Sequence, residues 1–176
     1  AGKRMSQQID ALLALSRLSR TDRRAEAIKL SELAASVVRE LRHQYPSTRA
    51  EIEIQPGLML VGDAGMIRSV LENLLGNALK FSSGQPVPRV RLSLEKTTQG
   101  EAFCVADNGA GFDMAQVERL FGVFQRLHSE REFPGTGIGL ASVKRIIRRH
   151  GGKVWAESEP GKGAKFYFTI PYDPDD

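Results

Sequence analysis

The feature that most restricts the fold of this chain is the alternation of two hydrophobic periods beyond about residue 25. Segments with apolar residues every three or four positions are typical of amphipathic helices. They are interleaved with short segments in which apolar and polar residues alternate, as in half-buried strands. Consecutive hairpin-like strands with helices between them predict an α+β fold, a two-layer α/β sandwich whose mixed β-sheet packs on helices at one face.

The predicted elements follow from this patterning and from local capping signals. We expect Ser31 and Asp63 to cap two long helices, which end near His43 and Phe81. Asp113 should start a short helix, and Gly151 should stop a further one. Strands are predicted at residues 51–54, 58–61, 89–94, 101–106, 154–157 and 164–170, and the further helix at 138–150. In the strand at 89–94, alternation places Val90, Leu92 and Leu94 inward and Arg89, Arg91 and Ser93 outward. The last two strands should form a hairpin.

Composition excludes several classes of protein. The chain has 176 residues, and its one cysteine, Cys104, excludes an internal disulfide framework or a cysteine-clustered metal site. No apolar run approaches the roughly 20 residues of a membrane helix. The net charge of +4 raises the possibility of a nucleic-acid partner. However, residues 1–24 carry six basic and two acidic side chains, whereas the other 152 carry 19 of each, so we expect no nucleic acid.

The first twenty residues predict an isolated N-terminal helix. Met5, Ile9, Leu12 and Leu13 recur at helical spacing, and polar residues separate them. A helix this apolar needs a partner helix. The polar stretch that follows places a boundary near residues 21–25.

Three segments carry residues suited to phosphate chemistry. The first, Glu-Asn-Leu-Leu-Gly-Asn-Ala-Leu-Lys-Phe, covers residues 72–81. Asn73, Asn77 and Lys80 lie at i, i+4 and i+7 and therefore share one helix face. Amide oxygens and an ammonium group in line suit hydrated Mg²⁺ and phosphates. Taken alone, the same trio is also typical of a solvated polar helix face.

The other two segments are rich in glycine. Residues 107–112, Asp-Asn-Gly-Ala-Gly-Phe, follow a buried strand, and Asp107 can accept a hydrogen bond from an exocyclic amine. Residues 135–140, Gly-Thr-Gly-Ile-Gly-Leu, open a helix and expose unpaired N–H groups to an anion. Each is weak alone, since most Asp-Asn-Gly runs are only turns. Residues 135–140 also match neither the P-loop nor the dinucleotide-binding pattern.

In this order and spacing, the three segments strongly resemble the ATP-binding catalytic domain of sensor histidine kinases. That family belongs to the superfamily of gyrase-type topoisomerases, Hsp90 chaperones and MutL-type repair proteins. Residues 72–81 resemble its N box, 107–111 its G1 box, 120–126 its F box and 135–139 its G2 box. The resemblance covers roughly residues 25–171, and phytochrome-type kinases are the most similar.

The resemblance implies that the chain binds ATP and Mg²⁺. Asn77 would ligate the metal, Lys80 would contact a phosphate, and Asn73 would face the phosphates. Lys80 and Asn73 are thus the candidate catalytic residues. Asp107 would bind the adenine amino group above a floor shaped by glycines. The other implied nucleotide-binding residues are Gly109, Gly111, Arg126, Gly135, Thr136, Gly137, Gly139 and Leu140. An ATP lid would run from about 112 to 136, packed by Phe121 and Phe124, for which an ordinary core role is an equal alternative.

One departure within the superfamily favours phosphate transfer over hydrolysis. Hydrolytic relatives carry a glutamate general base four residues before the Mg²⁺-binding asparagine. Here that position is Asn73, which cannot abstract a proton from water. Glu72 is adjacent but should point about 100° away around the helix. We therefore expect a protein-histidine kinase domain. The alternative is a non-catalytic module of the same fold that responds to ATP.

A phosphoacceptor histidine is not found in the chain. His43, His128 and His150 lack the acidic residue that follows the family's acceptor, and each is expected to be a surface or helix-end histidine. The resemblance implies that residues 1–24 are the second helix of a dimerisation and phosphotransfer hairpin, and that residues 25–176 are the ATP-binding domain. We therefore expect a cytoplasmic fragment whose partners are the acceptor helix of the same kinase dimer and a response-regulator receiver domain.

Overall fold

The computed structural model of the chain describes residues 25–116, 121 and 139–171. Within them the strands are β1 (Glu26–Lys29), β2 (Glu51–Ile54), β3 (Met59–Gly62), β4 (Arg89–Thr97), β5 (Gly100–Asp107), β6 (Val154–Ser158) and β7 (Ala164–Phe168). The helices are α1 (Leu30–Gln44), α2 (Ala64–Ser82) and α3 (Gly139–Arg149), with a 3₁₀ turn at Met114–Gln116. The predicted N-terminal helix lies outside the described residues.

The strands form one five-stranded sheet and one two-stranded ribbon. The order in the larger sheet is β2-β4-β5-β7-β6, in which β2 runs parallel to β4 and the other neighbours are antiparallel. β1 pairs with β3 in the antiparallel ribbon. The predicted mixed sheet is confirmed, and so is the hairpin formed by β6 and β7. β5 is the central strand, so its end lies in the middle of the sheet.

The three helices pack on one face of this sheet around α2, which contacts α1, α3, β4 and β5. Every α2 residue predicted to face the core is buried: Ile67, Val70, Leu71, Leu74 and Ala78. Val90 and Leu92 meet them from β4, and Phe166 and Phe168 from β7. This core confirms the two-layer α+β sandwich among the described residues, with α2 as its central helix.

The opposite face of the sheet carries a row of four cross-strand partners. Ser93, Cys104, Tyr167 and Trp155 lie side by side on β4, β5, β7 and β6. Ser93 faces away from the helices, as predicted, and it is nevertheless only 3% exposed. Its neighbours in the row bury it. Burial also raises the pKa of the Cys104 thiol to about 11, which keeps it protonated at neutral pH.

The two predicted helix caps have different outcomes. Asp63 is the N-cap of α2 and accepts a hydrogen bond from the Met66 amide at 3.0 Å, as expected. Ser31 does not cap α1, because it is the second residue of that helix. Its hydroxyl instead donates to the Gln55 carbonyl at 2.6 Å and accepts from the Leu58 amide at 2.9 Å. Ser31 therefore anchors the β2–β3 connection to the first turn of α1.

Candidate functional site

Asp107 is the last residue of the central strand β5, and its carboxylate is only half satisfied. Oδ1 accepts a hydrogen bond from the Gly109 amide at 2.8 Å. Oδ2 is buried without a hydrogen-bond partner among the described residues. Burial raises the pKa of the Asp107 carboxyl from 3.8 to about 6, and the amides of Gly109 and Ala164 oppose this rise. A buried acceptor left open in this way is suited to a ligand N–H group.

The segment that follows Asp107, residues 107–112, is called here the G1 turn, and it docks against the end of α2. The Ala110 amide donates to the Phe81 carbonyl oxygen at 3.2 Å. A Cβ added to Gly109 would lie 2.5 Å from the Phe81 carbonyl carbon, so only glycine allows this approach. This close approach fixes the position of Asp107 relative to the C-terminal end of α2.

The N-box residues Asn73, Asn77 and Lys80 are half-buried on α2, but their surroundings differ. The Asn73 amide donates to the Ser69 carbonyl in its own helix at 2.8 Å. The Asn77 side chain makes no hydrogen bond to another described residue. Lys80 lines a hollow of about 410 Å³, whose other lining residues include Tyr45, Arg49, Ser83 and Pro88. Both polar atoms of the Asn77 amide are therefore without a hydrogen bond to another described residue, whereas the Asn73 amide nitrogen is already bonded within its own helix.

Asn73 also links the N box to the first residue of α3. A Cβ added to Gly139 would lie 2.5 Å from Asn73 Oδ1, so the two residues are in direct contact. The neighbouring Leu140 is 8% exposed and packs in the core, which leaves its main chain as the part available to a ligand. α2 thus touches the G1 turn through Phe81 and the start of α3 through Asn73. The folded chain therefore brings the N box into contact with both the G1 turn and the first residue of α3.

Some predicted residues lie outside the described structure. These are Arg126, Gly135, Thr136, Gly137, Phe124 and His128. Phe121 is described, and its ring meets Phe166 of β7 edge-on with centroids 6.4 Å apart. Phe121 therefore packs against the main core, which confirms the ordinary core role that the sequence analysis gave as one of its two alternatives.

Glu72 points away from Asn73 and Asn77, as expected from its position on the helix. It is exposed, and its carboxylate pairs with Arg68 at 3.1 Å. Arg68 also meets Glu40 of α1 at 2.9 Å. These exposed pairs contribute little to stability. They do show that the Glu72 carboxylate is engaged by Arg68, which in turn contacts Glu40 of α1.

A buried histidine at the end of α3 was missed as a structural residue by the sequence reasoning. His150 directly follows α3, as a helix-end residue should, but it is 1% exposed. Its Nδ1 lies 2.8 Å from the Ile146 carbonyl oxygen, and its Nε2 accepts from the Asp63 amide at 3.0 Å. The ring therefore ties the end of α3 to the N-cap of α2. His43, by contrast, is exposed.

A mixed sheet covered on one face by helices, with an amide-bearing helix against a glycine-rich turn, matches the fold that the motifs predict for an ATP-binding domain. The family comparison agrees: the chain belongs to the histidine kinase-, DNA gyrase B- and HSP90-like ATPase family, whose model matches residues 62–174. The matched range includes α2, the G1 turn and α3.

Individual relatives include a phytochrome and a sensory kinase. Cyanobacterial phytochrome A of Nostoc sp. strain PCC 7120 is 38% identical over 170 residues, covering 95% of this chain and 22% of that protein. The adaptive-response sensory kinase SasA of Thermosynechococcus vestitus is 38% identical over 151 residues, covering 84% and 39%. The chain thus spans well under half the length of these curated relatives.

A solved structure shows the same fold. Full-length ShkA in complex with AMPPNP superposes with a TM-score of 0.76 at 27% identity, covering 94% of this chain and 35% of ShkA. The catalytic domain of the histidine kinase ThkA gives 0.69 at 24% identity, covering 86% of this chain and 99% of that domain, which supports the fold alone. Among the described residues, no helix has the length and apolar character to cross a membrane.

Proposed function

We propose that this chain is the ATP-binding catalytic part of a sensor histidine kinase, and that it presents the γ-phosphate of ATP to a histidine on a separate helix. The observation that carries the proposal is the buried, unpartnered Oδ2 of Asp107 at the end of the central strand. It lies on a turn that packs against α2, the helix that bears Asn73, Asn77 and Lys80.

Adenine recognition would depend on Asp107. The adenine exocyclic amine is a donor, and Oδ2 is a buried acceptor without a described partner. Pairing the two would remove the cost of leaving that oxygen unsatisfied. Gly109 would form the surface beneath the base, since its missing side chain already allows the turn to lie close to Phe81.

The donor set fits Mg²⁺ held mainly by nucleotide and water. No group of three or more His, Cys, Asp or Glu residues that could hold a metal occurs in the described part of the chain. Mg²⁺ usually keeps several waters and binds through one or two protein ligands plus substrate phosphates. Asn77 would supply the protein ligand through its amide oxygen, which is engaged by no other described residue. When bound, the metal would neutralise phosphate charge.

The remaining residues favour transfer over hydrolysis. Asn73 has its amide nitrogen bonded to Ser69 and cannot act as a base, while Glu72 pairs with Arg68 on another side of α2. Among the described residues of this helix, neither side chain would therefore serve water as a general base, whereas an incoming imidazole nitrogen is itself the nucleophile. Lys80 would place positive charge near a phosphate, and Gly139 would support the end of the lid. The parts assigned to Arg126, Gly135, Thr136 and Gly137 stay predictions.

The phosphoacceptor helix of the kinase dimer and a response-regulator receiver domain are the proposed partners. Residues 1–24 would be the second helix of the acceptor hairpin, and residues 25–176 the ATP-binding domain. The relatives are named as kinases and phytochromes, which supports a catalytic domain over a module that only senses ATP.

Calorimetric titration with Mg²⁺ and a non-hydrolysable ATP analogue tests the site. We expect Asn77→Ala and Asp107→Ala each to weaken binding about tenfold or more, since each removes a contact to a charged or buried group. Gln99→Ala, in the exposed β4–β5 turn, is the matched control. Unchanged affinity in both site variants would overturn the assignment.

A second experiment tests catalysis. The chain is mixed with labelled ATP and a purified acceptor hairpin from a related kinase. Acid-labile phosphohistidine should form on the supplied hairpin and not on the chain itself. Label that accumulates stably on a histidine of the isolated chain would contradict this account, and tight nucleotide binding without any transfer would favour the non-catalytic module.

A further inference from the structure

The G1 turn is supported by the turn between β6 and β7. The Gly161 amide donates to the Ala110 carbonyl oxygen at 2.6 Å. A Cβ added to Gly163 would collide with the Asp107 carbonyl oxygen, and one added to Gly111 would collide with that of Glu159. Both glycines have positive φ, +80° and +69°, so their backbone conformation as well as the space requires glycine.

One side chain joins these two turns. The Ser158 hydroxyl accepts a hydrogen bond from the Phe112 amide at 2.9 Å and donates one to the Gly163 carbonyl oxygen at 2.5 Å. Phe112 ends the G1 turn, and Gly163 ends the β6–β7 turn. The hydroxyl thus satisfies one donor of the G1 turn and one acceptor of the β6–β7 turn, next to the last paired residues of the β5–β7 and β6–β7 ladders.

The position of Gly163 bears directly on Asp107. Ala164, the next residue, is the cross-strand partner of Asp107 in the β5–β7 ladder and also the partner of Ser158 in the β6–β7 ladder. Displacement of Gly163 would therefore move the backbone against which the Asp107 carboxyl is placed. Phe112, at the other end of the hydroxyl bridge, packs its ring on Phe166 with centroids 6.0 Å apart.

We infer that Ser158 is a positioning residue for nucleotide recognition. It acts through the G1 turn, where its hydroxyl holds Phe112 and Gly163 so that Asp107 Oδ2 and the Gly109 surface keep the geometry that an adenine ring requires. The inference rests on the proposed function, because it assumes that Asp107 reads the exocyclic amine. The role of Ser158 does not depend on the roles proposed for the N box or the lid.

The test compares Ser158→Thr with Ser158→Val in the full chain. The two side chains have the same shape, but threonine keeps the hydroxyl, so their difference reports the hydrogen bonds. The readout is the ratio of affinities for ATP and inosine triphosphate, which lacks the exocyclic amine, measured calorimetrically with Mg²⁺. Asp107→Asn is measured alongside, because it tests recognition of the amine directly.

We expect Ser158→Val to lower the preference for ATP by about three- to tenfold, the range that one hydrogen bond contributes. Ser158→Thr should retain it. A merely structural role would lower the melting temperature and weaken both nucleotides equally, leaving the ratio unchanged. Hydrogen exchange of the Phe112 amide gives an independent readout in the absence of nucleotide, and its protection should be lost in Ser158→Val and kept in Ser158→Thr.

The failures are distinguishable. An unchanged ratio in Ser158→Val, with a reduced ratio in Asp107→Asn, would overturn the role of Ser158 alone. An unchanged ratio in Asp107→Asn would overturn the nucleotide assignment and this inference with it. Ser158→Ala is a smaller second variant. If it and Ser158→Val both failed to fold while Ser158→Thr folded, the hydroxyl would be required for the whole domain, which would also refute a specific positioning role.

Discussion

Replacement of Asp107 by asparagine should stabilise the folded chain at neutral pH while weakening its binding of nucleotide. The carboxyl sits at the end of β5 with one oxygen buried and unpartnered, and burial raises its pKa to about 6 from an ordinary value of 3.8. The charged form is thus less favourable in the folded state than in the unfolded state. Asparagine has nearly the same shape and no charge.

The sign and size of the effect follow from proton linkage. Below pH 3.8 the carboxyl is protonated in both states and costs nothing. Between 3.8 and about 6 the folded state binds more protons than the unfolded state, so the free energy of unfolding falls as the pH rises. Above about pH 6 the decrease in the free energy of unfolding is complete. At ~1.36 kcal/mol per unit of pKa, this decrease amounts to about 3 kcal/mol.

Urea unfolding of the wild-type chain and Asp107→Asn at pH 4 and pH 8 measures this effect. The new amide nitrogen would be buried where Oδ2 was, and its cost applies at both pH values. The informative quantity is therefore the change between them: the variant should gain roughly 2.5 kcal/mol more at pH 8 than at pH 4. Asp113→Asn, an exposed carboxylate six residues later, is the matched control.

The reasoning would be refuted if Asp107→Asn gained no more stability at pH 8 than at pH 4. It would be refuted equally if Asp113→Asn showed the same pH-dependent gain, since the effect would then not depend on burial. Weakened ATP binding together with raised stability would instead identify Asp107 as a residue retained for function at the expense of stability.

Three further predictions follow from the same contacts. Gly62→Ala should lower the free energy of unfolding by about 1–3 kcal/mol in urea, because the added Cβ would lie 2.9 Å from the buried His150 ring. The control is Gly65→Ala, which should be neutral or slightly stabilising because the nearest atom to its Cβ is 3.4 Å away. Calorimetric ATP affinity should fall as the pH drops below about 6, by up to ~tenfold per pH unit, because protonation of Asp107 removes the acceptor, and an equal fall in Asp107→Asn would contradict this. Glu72→Gln should leave both nucleotide affinity and slow ATP hydrolysis unchanged in a coupled assay, because Glu72 pairs with Arg68. A marked loss of hydrolysis would show that Glu72 is a general base and would contradict this prediction.

Local patterns predicted the elements well because helix and strand periods record which side of each segment is buried. α2 was expected between Asp63 and about Phe81 and is found at Ala64–Ser82, with its cap on Asp63. The motif order also predicted the ATP-binding family correctly. Each of these inferences depends on residues that are close together in the chain or on a combination of short motifs.

Inferences that depended on distant contacts did less well. Ser31 was expected to cap α1, but its hydroxyl bonds residues 24 and 27 positions away. Ser93 was placed on the correct face of β4, yet three other strands contribute the row that buries it. A serine hydroxyl can bond either its own helix or a passing loop, and sequence spacing does not distinguish the two.

The sequence motifs predict which side chains carry the candidate chemistry, namely Asp107, Asn77, Lys80 and the glycines. Tertiary structure alone decided their states. The G1 turn meets α2 and the β6–β7 turn only after the sheet has assembled, and that packing leaves Asp107 Oδ2 buried and raises its pKa. The same packing sets Asn73 against Gly139 and gives Ser158 its two partners. Desolvation and close backbone approach depend on atoms that are remote in the chain, so no local pattern can encode them.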